Sequence, residues 1–275
     1  MKAFLSHFLL LAASAAAAAT RGHGLAARVA ARNEMTRLTH PKLPADDIDE
    51  FETANRTNVD YSSNWSGGVL TAPPSGTTFT SVTAQFTVPK PSLPSGGTQD
   101  SYASAWVGID GDTYTTAILQ TGLDFGISTS GQVSYDAWYE WYPDYAYDFS
   151  GITINTGDVM QVTVTSTSSS AGTAVIENLS SGQKVSQSLT APSSTATLGG
   201  QNAEWIVEDF DSNGGQVPFA NFGTVNFTGA TAGTSDGSSV GTSGADVLDI
   251  SQNGKVLTSA SIPSDSEVDV KYIGH

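Results

Sequence analysis

The sequence predicts an all-β protein whose strands form a sandwich or a barrel. Apolar and polar residues alternate in many short segments after residue 58, clusters of Gly, Ser, Asn and Pro separate these segments, and no helical pattern of convincing length occurs among them. Alternation with a period of two places apolar side chains on one face of a strand. Many short strands divided by turns are typical of sandwiches and barrels.

The alternating segments define the predicted strands in chain order. The clearest are residues 79–88, 151–154, 160–165, 174–178 and 184–189. Residues 228–244 are rich in Gly, Ser and Thr, and this composition predicts a long loop. With about 217 residues after position 58, the chain can bury a substantial core without disulfides, and we expect one domain.

The N-terminal part differs from the β-rich remainder. Residues 1–19 combine an early lysine, a short apolar run and small residues, which predicts a signal peptide and therefore a secreted, extracellular protein. No second apolar run is long enough to span a membrane, so no membrane association is expected. Residues 20–58 are predicted to be a basic propeptide, and residues 59–275 the folded domain.

Basic and acidic residues are distributed unevenly between the predicted propeptide and the predicted folded domain. All five arginines precede residue 59, whereas residues 59–275 carry four lysines against 21 acidic residues, a formal charge of −17. This acidity disfavours nucleic acid as a partner. We expect the basic propeptide to be held by charge pairing near neutral pH, as an intramolecular inhibitor, and to be released when acid protonates the carboxylates.

Residues 41–274 contain neither cysteine nor histidine. This absence excludes a cysteine nucleophile, a Ser-His-Asp triad and zinc held by His or Cys within that stretch. Hydrolysis there would depend on carboxylates, amides, hydroxyls and water. No metal site or cofactor is expected, and nothing in the sequence requires an oligomer, so a monomer is predicted.

A stretch rich in aromatic and acidic residues predicts a cleft. If residues 135–142 form a strand, one face carries Asp136, Trp138, Glu140 and Tyr142. Burying two acids without cations is costly, and residues 59–275 contain few cations, so an open cleft lined by rings and carboxylates explains this face better than a core. On a strand over 203–210, Glu204 shares a face with Ile206 and Glu208.

Five motifs, in order along residues 60–227, resemble the glutamic peptidases, the eqolisin family of secreted acid proteinases. They are Asn64-Trp-Ser-Gly-Gly68, Ala105-Trp-Val-Gly-Ile-Asp-Gly-Asp112, Ile118-Leu-Gln-Thr-Gly122, Tyr135-Asp-Ala-Trp-Tyr-Glu-Trp-Tyr-Pro143 and Ala203-Glu-Trp-Ile-Val-Glu-Asp-Phe210. The resemblance implies a concanavalin A-like β-sandwich (jelly roll) of two antiparallel seven-stranded sheets, with a substrate cleft on one concave face.

The resemblance also assigns the site residues. It implies that Gln120 and Glu204 form the catalytic dyad of a pepstatin-insensitive endopeptidase acting on proteins and peptides. Substrate-binding positions of the family correspond to Trp65, Asp110, Asp124, Asp136, Trp138, Glu140 and Tyr142. In this chemistry Glu204 would activate water as a general base, and the amide of Gln120 would stabilise the oxyanion, with an acid pH optimum.

Two other functions fit part of the pattern. A retaining glycoside hydrolase with a jelly-roll fold would use Glu140 and Glu204 as its two carboxylates, about 5–5.5 Å apart. A carbohydrate-binding module would use the same aromatics without catalysis. Glycosylation sequons occur at Asn55, Asn64, Asn178 and Asn226, of which Asn178 and Asn226 are the candidates, because Asn64 adjoins the proposed cleft. Maturation is expected near residues 57–60.

Overall fold

The computed structural model describes residues 37–45 and 59–274, which fall within one compact unit. The predicted signal peptide, residues 20–36 and 46–58 of the predicted propeptide, and the Asn55 sequon lie outside the described residues. Those that are described contain strands and turns but no α-helix, and none of them forms a helix able to cross a membrane.

The strands, in chain order, are β1 (Arg37–Leu38), β2 (Val59–Ser62), β3 (Trp65–Leu70), β4 (Phe79–Thr87), β5 (Ser101–Ile109), β6 (Ile118–Ile127), β7 (Val133–Tyr142), β8 (Tyr147–Asp148), β9 (Val159–Ser168), β10 (Ala171–Asn178), β11 (Gln183–Thr190), β12 (Ala203–Glu208), β13 (Asp211–Ser212), β14 (Gly215–Gln216), β15 (Thr224–Thr234), β16 (Ser239–Val240), β17 (Asp246–Gln252), β18 (Lys255–Val256), β19 (Thr258–Ser264) and β20 (Glu267–Tyr272).

Two large sheets pack face to face, which confirms the predicted β-sandwich. The first sheet has the order β18-β17-β3-β12-β5-β6-β7-β8, with β2 paired to β17, and is called the cleft-bearing sheet because it contains the residues predicted to line a cleft. The opposite sheet has the order β11-β10-β9-β4-β15-β20-β19, with β16 paired to β15. The sheets therefore have nine and eight strands instead of the seven implied by the resemblance. The difference includes two-residue edge strands, whose short backbone pairings leave no distinctive sequence pattern. The β2–β17 pair is parallel.

Residues 228–244 do not form the predicted long loop. Most of β15 lies in this stretch, and its buried residues alternate with exposed ones against β4 and β20. Ala230 and Ala232 are buried in the core between the sheets. Small residues can line a sheet face that packs closely, so composition rich in Gly, Ser and Thr did not distinguish this strand from a loop.

Apolar residues form two clusters, one on each face of the cleft-bearing sheet. The larger cluster fills the space between the sheets and includes Trp141, Trp205 and Phe227. The smaller cluster lies on the outer face and consists of Trp65, Val69, Trp106, Ile118, Trp138, Ile206 and Leu248. The strand parity predicted for β7 and β12 is therefore confirmed: one face of each strand supports the core, and the other presents the acidic and aromatic residues.

Candidate active site

The strand register brings Gln120 and Glu204 together around one glycine. Gly108 of β5 lies opposite Gln120 of β6 on one side and opposite Glu204 of β12 on the other. The same cross-strand row continues to Glu140 on β7. Residues directly opposite each other share a face of the sheet, so the predicted dyad lies in one row, with a residue that lacks a side chain between its members.

Gly108 leaves the space between the two side chains open. A Cβ atom at this position would lie 2.8 Å from the Trp106 ring and 3.2 Å from Oε2 of Glu204. The first distance is too short for a real contact, so any larger residue would displace the ring or the carboxylate. The sequence alone predicts no role for Gly108, because its importance depends on cross-strand register.

Both dyad side chains are fully buried. Among the described residues, no group forms a hydrogen bond with the amide of Gln120 or with either carboxylate oxygen of Glu204. Buried polar groups in folded proteins are usually paired, and unpaired ones are candidates for direct chemistry with a ligand. The row therefore presents a carboxylate and an amide with free hydrogen-bonding capacity.

Two further rows line the same face. Trp106 and Trp138 both lie opposite Gly122, one from each side, and form the row next to the dyad. The row beyond it runs through Trp65, Glu208, Ser104, Asp124 and Asp136. Six of the seven predicted substrate-binding residues (Trp65, Asp124, Asp136, Trp138, Glu140 and Tyr142) thus lie on the face that carries the dyad.

Glu208 is a buried carboxylate in this site. Strand parity predicts its face, but the sequence alone predicts no role for it. Its Oε2 accepts a hydrogen bond of 2.9 Å from the Trp106 indole N–H. Its Oε1 accepts a longer one, 3.5 Å, from the Asn64 side chain. The carboxylate therefore orients the ring that packs beside Gly108.

Burial is the main cause of the raised pKa values of three glutamates in the site. It raises the pKa of Glu204 well above the ordinary glutamate value, and the nearby charges of Asp110 and Asp112 raise it further. Burial also raises the pKa of Glu140 to about 8, although the Arg37 guanidinium opposes the shift. The pKa of Glu208 is raised well above its usual range for the same reason. The covered site therefore retains protons at pH values where free carboxyls are ionised.

Residues 37–45 of the predicted propeptide lie across this face, and Arg37 is inserted among its carboxylates. The guanidinium Nε is 2.8 Å from an Asp124 oxygen, and Nη1 is 3.6 Å from a Glu140 oxygen. Its Cζ lies 3.8 Å from the Trp138 ring centroid and 4.5 Å from that of Phe210. This arginine joins charge pairing to stacking on aromatic faces.

The next residues continue the contact toward the other end of the cleft. The Thr39 N–H is 3.3 Å from each Glu140 carboxylate oxygen. The Lys42 N–H donates to the Gly111 carbonyl at 3.0 Å, and the Lys42 ammonium pairs with Asp112. The Leu43 N–H donates to Oδ1 of Asn64 at 2.9 Å. The segment therefore binds through its backbone as well as its cations.

A hairpin and a loop hold the start of this segment. β1 pairs with β13, which pairs with β14 across a turn in which Asn213 and Gly214 both have positive φ. An Asn-Gly turn of this type suits the twist of a two-residue hairpin. From the other side, the Ala146 N–H donates to the Arg37 carbonyl at 3.1 Å.

Asp110, the seventh predicted substrate-binding residue, makes extensive hydrogen bonds to the backbone. Its side chain is buried, and both carboxylate oxygens accept backbone N–H groups from residues 199–202. These bonds leave the carboxylate committed to the loop that precedes β12. Asp110 follows β5 two residues after Gly108 and therefore lies beside the predicted dyad row.

The sequons differ in accessibility. Asn178 is buried, its amide nitrogen donates to Thr153 and Asp158, and its oxygen accepts two backbone N–H groups. Asn64 is also buried. Asn226 is exposed on β15. Of the three described sequons, only Asn226 offers an exposed side chain.

No group of three or more His, Cys, Asp or Glu side chains within residues 37–45 and 59–274 is arranged to hold a metal ion. Asp124 and Glu140 contact an arginine, Glu208 accepts a hydrogen bond from an indole, and Asp110 accepts backbone N–H groups.

Comparisons with known proteins agree with this geometry. The profile of the Peptidase A4 family matches residues 63–272. Aspergillopepsin-2 of Aspergillus niger is 49% identical over 280 residues, and scytalidopepsin B of Scytalidium lignicola is 42% identical over 271; each alignment covers 96% of this chain and 96% of the relative. A crystal structure of scytalido-glutamic peptidase with a transition state analog inhibitor superposes with a TM-score of 0.67 at 43% identity, covering 77% of this chain and 98% of that chain.

Proposed function

Since this chain belongs to the Peptidase A4 family of glutamic (eqolisin) peptidases, it is a glutamic-type endopeptidase, and we propose that Gln120 and Glu204 are its catalytic dyad. The observation that carries this assignment is the shared row: both residues face Gly108 from opposite sides, and both are buried with unused hydrogen-bonding groups. A peptide carbonyl above Gly108 would meet an amide on one side and a carboxylate on the other.

The proposed chemistry needs only these two groups and water. Ionised Glu204 takes a proton from a water molecule whose oxygen attacks the scissile carbonyl carbon. The N–H of Gln120 donates to the oxyanion of the tetrahedral intermediate. When the C–N bond breaks, Glu204 returns the proton to the departing nitrogen. Gln120 does not titrate, so its donor persists at acid pH.

The neighbouring rows supply the proposed binding surface. Trp65, Trp138 and Tyr142 offer apolar rings, and Asp124, Asp136 and Glu140 offer carboxylates on the same face. A substrate chain would cross these rows as residues 37–45 do, using backbone hydrogen bonds and side-chain pockets. The substrates proposed are unfolded proteins and peptides.

A retaining glycosidase that uses Glu140 and Glu204 is not favoured. These residues lie on β7 and β12, with β6 and β5 between them. Three strand spacings separate their backbones by roughly 14 Å, whereas the two carboxyls of a retaining enzyme lie about 5–5.5 Å apart. The intervening side chain in the row, Gln120, is an amide that a glycosidase does not require.

We also propose that residues 37–45 act as an intramolecular inhibitor. Arg37 occupies the carboxylate and aromatic surface proposed for substrate, and Lys42 pairs with Asp112 at the other end. Both attachments are charge pairs, so we expect acidification to weaken the hold of the segment on the site. Burial raises the pKa of Glu204 and so disfavours the ionised base in the precursor. In this proposal, removal of the segment opens the row to water, which lowers the desolvation of the carboxylate and favours its ionisation.

Export, removal of residues 1–19 and 20–58, and a monomeric state are parts of the same proposal. The support for export and processing is the apolar N-terminus, the basic composition of residues 20–58 and the contacts of residues 37–45 with the site. Expression in a secreting host, followed by N-terminal sequencing and light scattering of the secreted product, tests all three. An N-terminus before residue 20 contradicts removal of the signal peptide, one that retains most of residues 20–58 contradicts removal of the propeptide, and a stable dimer contradicts the monomeric state.

The activity itself is tested by offering the processed protein denatured protein, xylan and glucan at acid pH. We expect cleavage of denatured protein alone, unaffected by pepstatin, which targets paired aspartates. Cleavage of a glycan would support the glycosidase, and strong inhibition by pepstatin would show that the reaction uses a different site.

A further inference from the structure

Asp110 and Asn202 flank the dyad row at the ends of two neighbouring strands. Asp110 follows β5 two residues after Gly108, and Asn202 precedes β12 two residues before Glu204. The Asp110 N–H donates to the Asn202 carbonyl at 3.1 Å. The two residues therefore sit where the loops that adjoin the row begin and end.

The Asp110 side chain caps the loop that leads into β12. Its Oδ2 accepts the backbone N–H groups of Gly199 at 2.7 Å and Gly200 at 2.9 Å, and its Oδ1 accepts those of Gln201 at 2.7 Å and Asn202 at 3.3 Å. Asp110 has φ of 69°, in the left-handed region that non-glycine residues seldom adopt. Such a conformation persists where the surroundings determine it.

The Asn202 side chain caps the loop that leaves β5 in return. Its Oδ1 accepts the backbone N–H groups of residues 112–114, at 3.2, 2.9 and 3.2 Å. Its Nδ2 donates to the Thr71 carbonyl at 3.2 Å and to the Thr113 hydroxyl at 2.7 Å. Since Thr71 follows β3, this amide connects the loops adjoining three adjacent strands: β3, β12 and β5.

This reciprocal arrangement matters because Glu204 has no hydrogen bond of its own among the described residues. Its carboxylate is positioned by the β12 backbone and by packing. The backbone around it is in turn anchored on one side by Asn202 and Asp110. A shift of the loop would move the carboxylate relative to Gln120, and misplacement by about 1 Å can cost about 10²-fold in rate.

We propose that Asp110 and Asn202 form a reciprocal loop lock that positions Glu204 for the chemical step, so that Asp110 is a positioning residue and not a substrate ligand. The inference rests on the proposed dyad and assigns a cause to its geometry. The Asp110 charge also acts on Glu204, whose pKa it helps to raise. Loss of the lock is expected to lower kcat while KM stays nearly constant, because the cleft rows remain.

The test compares Asn202→Ala with Asn178→Ala in the processed enzyme. Asn178 is a matched control: it is equally buried, accepts two backbone N–H groups and donates to a carbonyl, but it lies on β10 in the opposite sheet. We expect Asn202→Ala to lower kcat at least about tenfold, with KM within about twofold. Asn178→Ala should lower the melting temperature without lowering kcat.

Asp110→Asn is a second, isosteric variant, which keeps the test decisive if Asn202→Ala does not fold. It removes the charge next to Glu204 and disturbs the accepted N–H bonds. We expect a lower kcat and an acid limb of the kcat–pH profile that moves to lower pH. An unmoved acid limb with kcat within about twofold of the parent would overturn the lock, as would an equal loss of kcat in Asn178→Ala and Asn202→Ala.

Glu204→Gln separates this inference from the dyad assignment on which it rests. Full activity in Glu204→Gln overturns the proposed function itself. An inactive Glu204→Gln combined with unaffected Asn202→Ala and Asp110→Asn overturns the lock alone.

Discussion

Gln120 on β6 and Glu204 on β12 lie opposite the same residue, Gly108, on the strand β5 between them. The absence of a side chain at Gly108 leaves the space between the two side chains open. The pair is therefore a product of sheet register: 84 positions apart in sequence, the residues lie in one row. In the proposed mechanism this row lets an amide and a carboxylate, neither of them hydrogen-bonded to another described residue, act on one substrate carbonyl.

Gly108→Ala is expected to reduce kcat strongly. Its Cβ would lie 2.8 Å from the Trp106 ring and 3.2 Å from Glu204, so the ring or the carboxylate must move. A loss of about 10²-fold is expected from such misplacement. Gly68→Ala is the matched control, because its Cβ would meet Val268 at 3.2 Å on the core face of the same sheet. Steady-state kinetics and thermal melts of both variants check this. Equal kcat losses would contradict a specific role for Gly108.

Arg37→Ala is expected to let the precursor activate at higher pH. The substitution removes the contacts with Asp124, Glu140 and two aromatic rings. We expect the pH of half-activation to rise by about one unit, equivalent to about 1.4 kcal/mol. Lys184→Ala is the control, since Lys184 pairs with Glu177 on the opposite sheet. Incubation of each precursor across a pH series, followed by assay at one acid pH, gives the midpoint. An unchanged midpoint for Arg37→Ala would contradict the inhibitory role.

The precursor is expected to be more stable at acid pH than above neutrality. Burial raises the pKa of Asp209 to about 8, and that of Glu140 to about 8. Because unfolded carboxyls titrate near pH 4, the folded state binds more protons between about pH 4 and 8, and the free energy of unfolding falls as pH rises through this window.

Asp209→Asn checks the sign of this effect. The variant removes one titrating group and should flatten the slope by up to about 1.4 kcal/mol per pH unit. Urea unfolding from pH 4 to 8, in precursors that also carry Glu204→Gln to prevent self-cleavage, measures both slopes. A precursor whose stability rises with pH over this range would contradict the expectation.

Asn226 is the expected glycosylation site when the chain passes through a secretory pathway that modifies sequons. Its side chain is exposed, whereas the Asn178 amide is buried and fully hydrogen-bonded. Asn226→Gln should therefore abolish the mobility shift on deglycosylation, and Asn178→Gln should leave it unchanged. Detection by mass spectrometry of a glycan attached to Asn178 would contradict this expectation.

Local sequence patterns predicted which face of its strand each site residue lies on, but not which residues lie opposite one another across the sheet. Alternation placed Glu140 and Trp138 on one side of β7 and Glu204 on one side of β12, and the structure confirms both. The pairing of Gln120 with Gly108 depends on hydrogen bonds between distant segments, so single-strand parity could not show it. The hydrogen bonds of Asp110 join it to a loop about 90 residues away, so its own strand gave no sign of them.

One strand and the contacts of the basic segment were not predicted from the sequence. Residues 228–234 of β15 were predicted as part of a loop because the stretch is rich in glycine, which is depleted in strands on average, although packing against β4 and β20 overrides that preference. Arg37 and Lys42 were predicted only as members of a basic segment. Their positions opposite Asp124 and Asp112 required the tertiary structure.

The central claim, that Gln120 and Glu204 act as one unit, is tested most directly by a double-mutant cycle in the processed enzyme. Glu204→Gln and Gln120→Ala are each expected to lower kcat for a peptide substrate at acid pH by at least about 10²–10³-fold while the fold persists. Because both serve the same transition state, the double variant should be little worse than the poorer single variant. Full activity in either single variant, or losses that multiply in the double variant, would contradict the dyad.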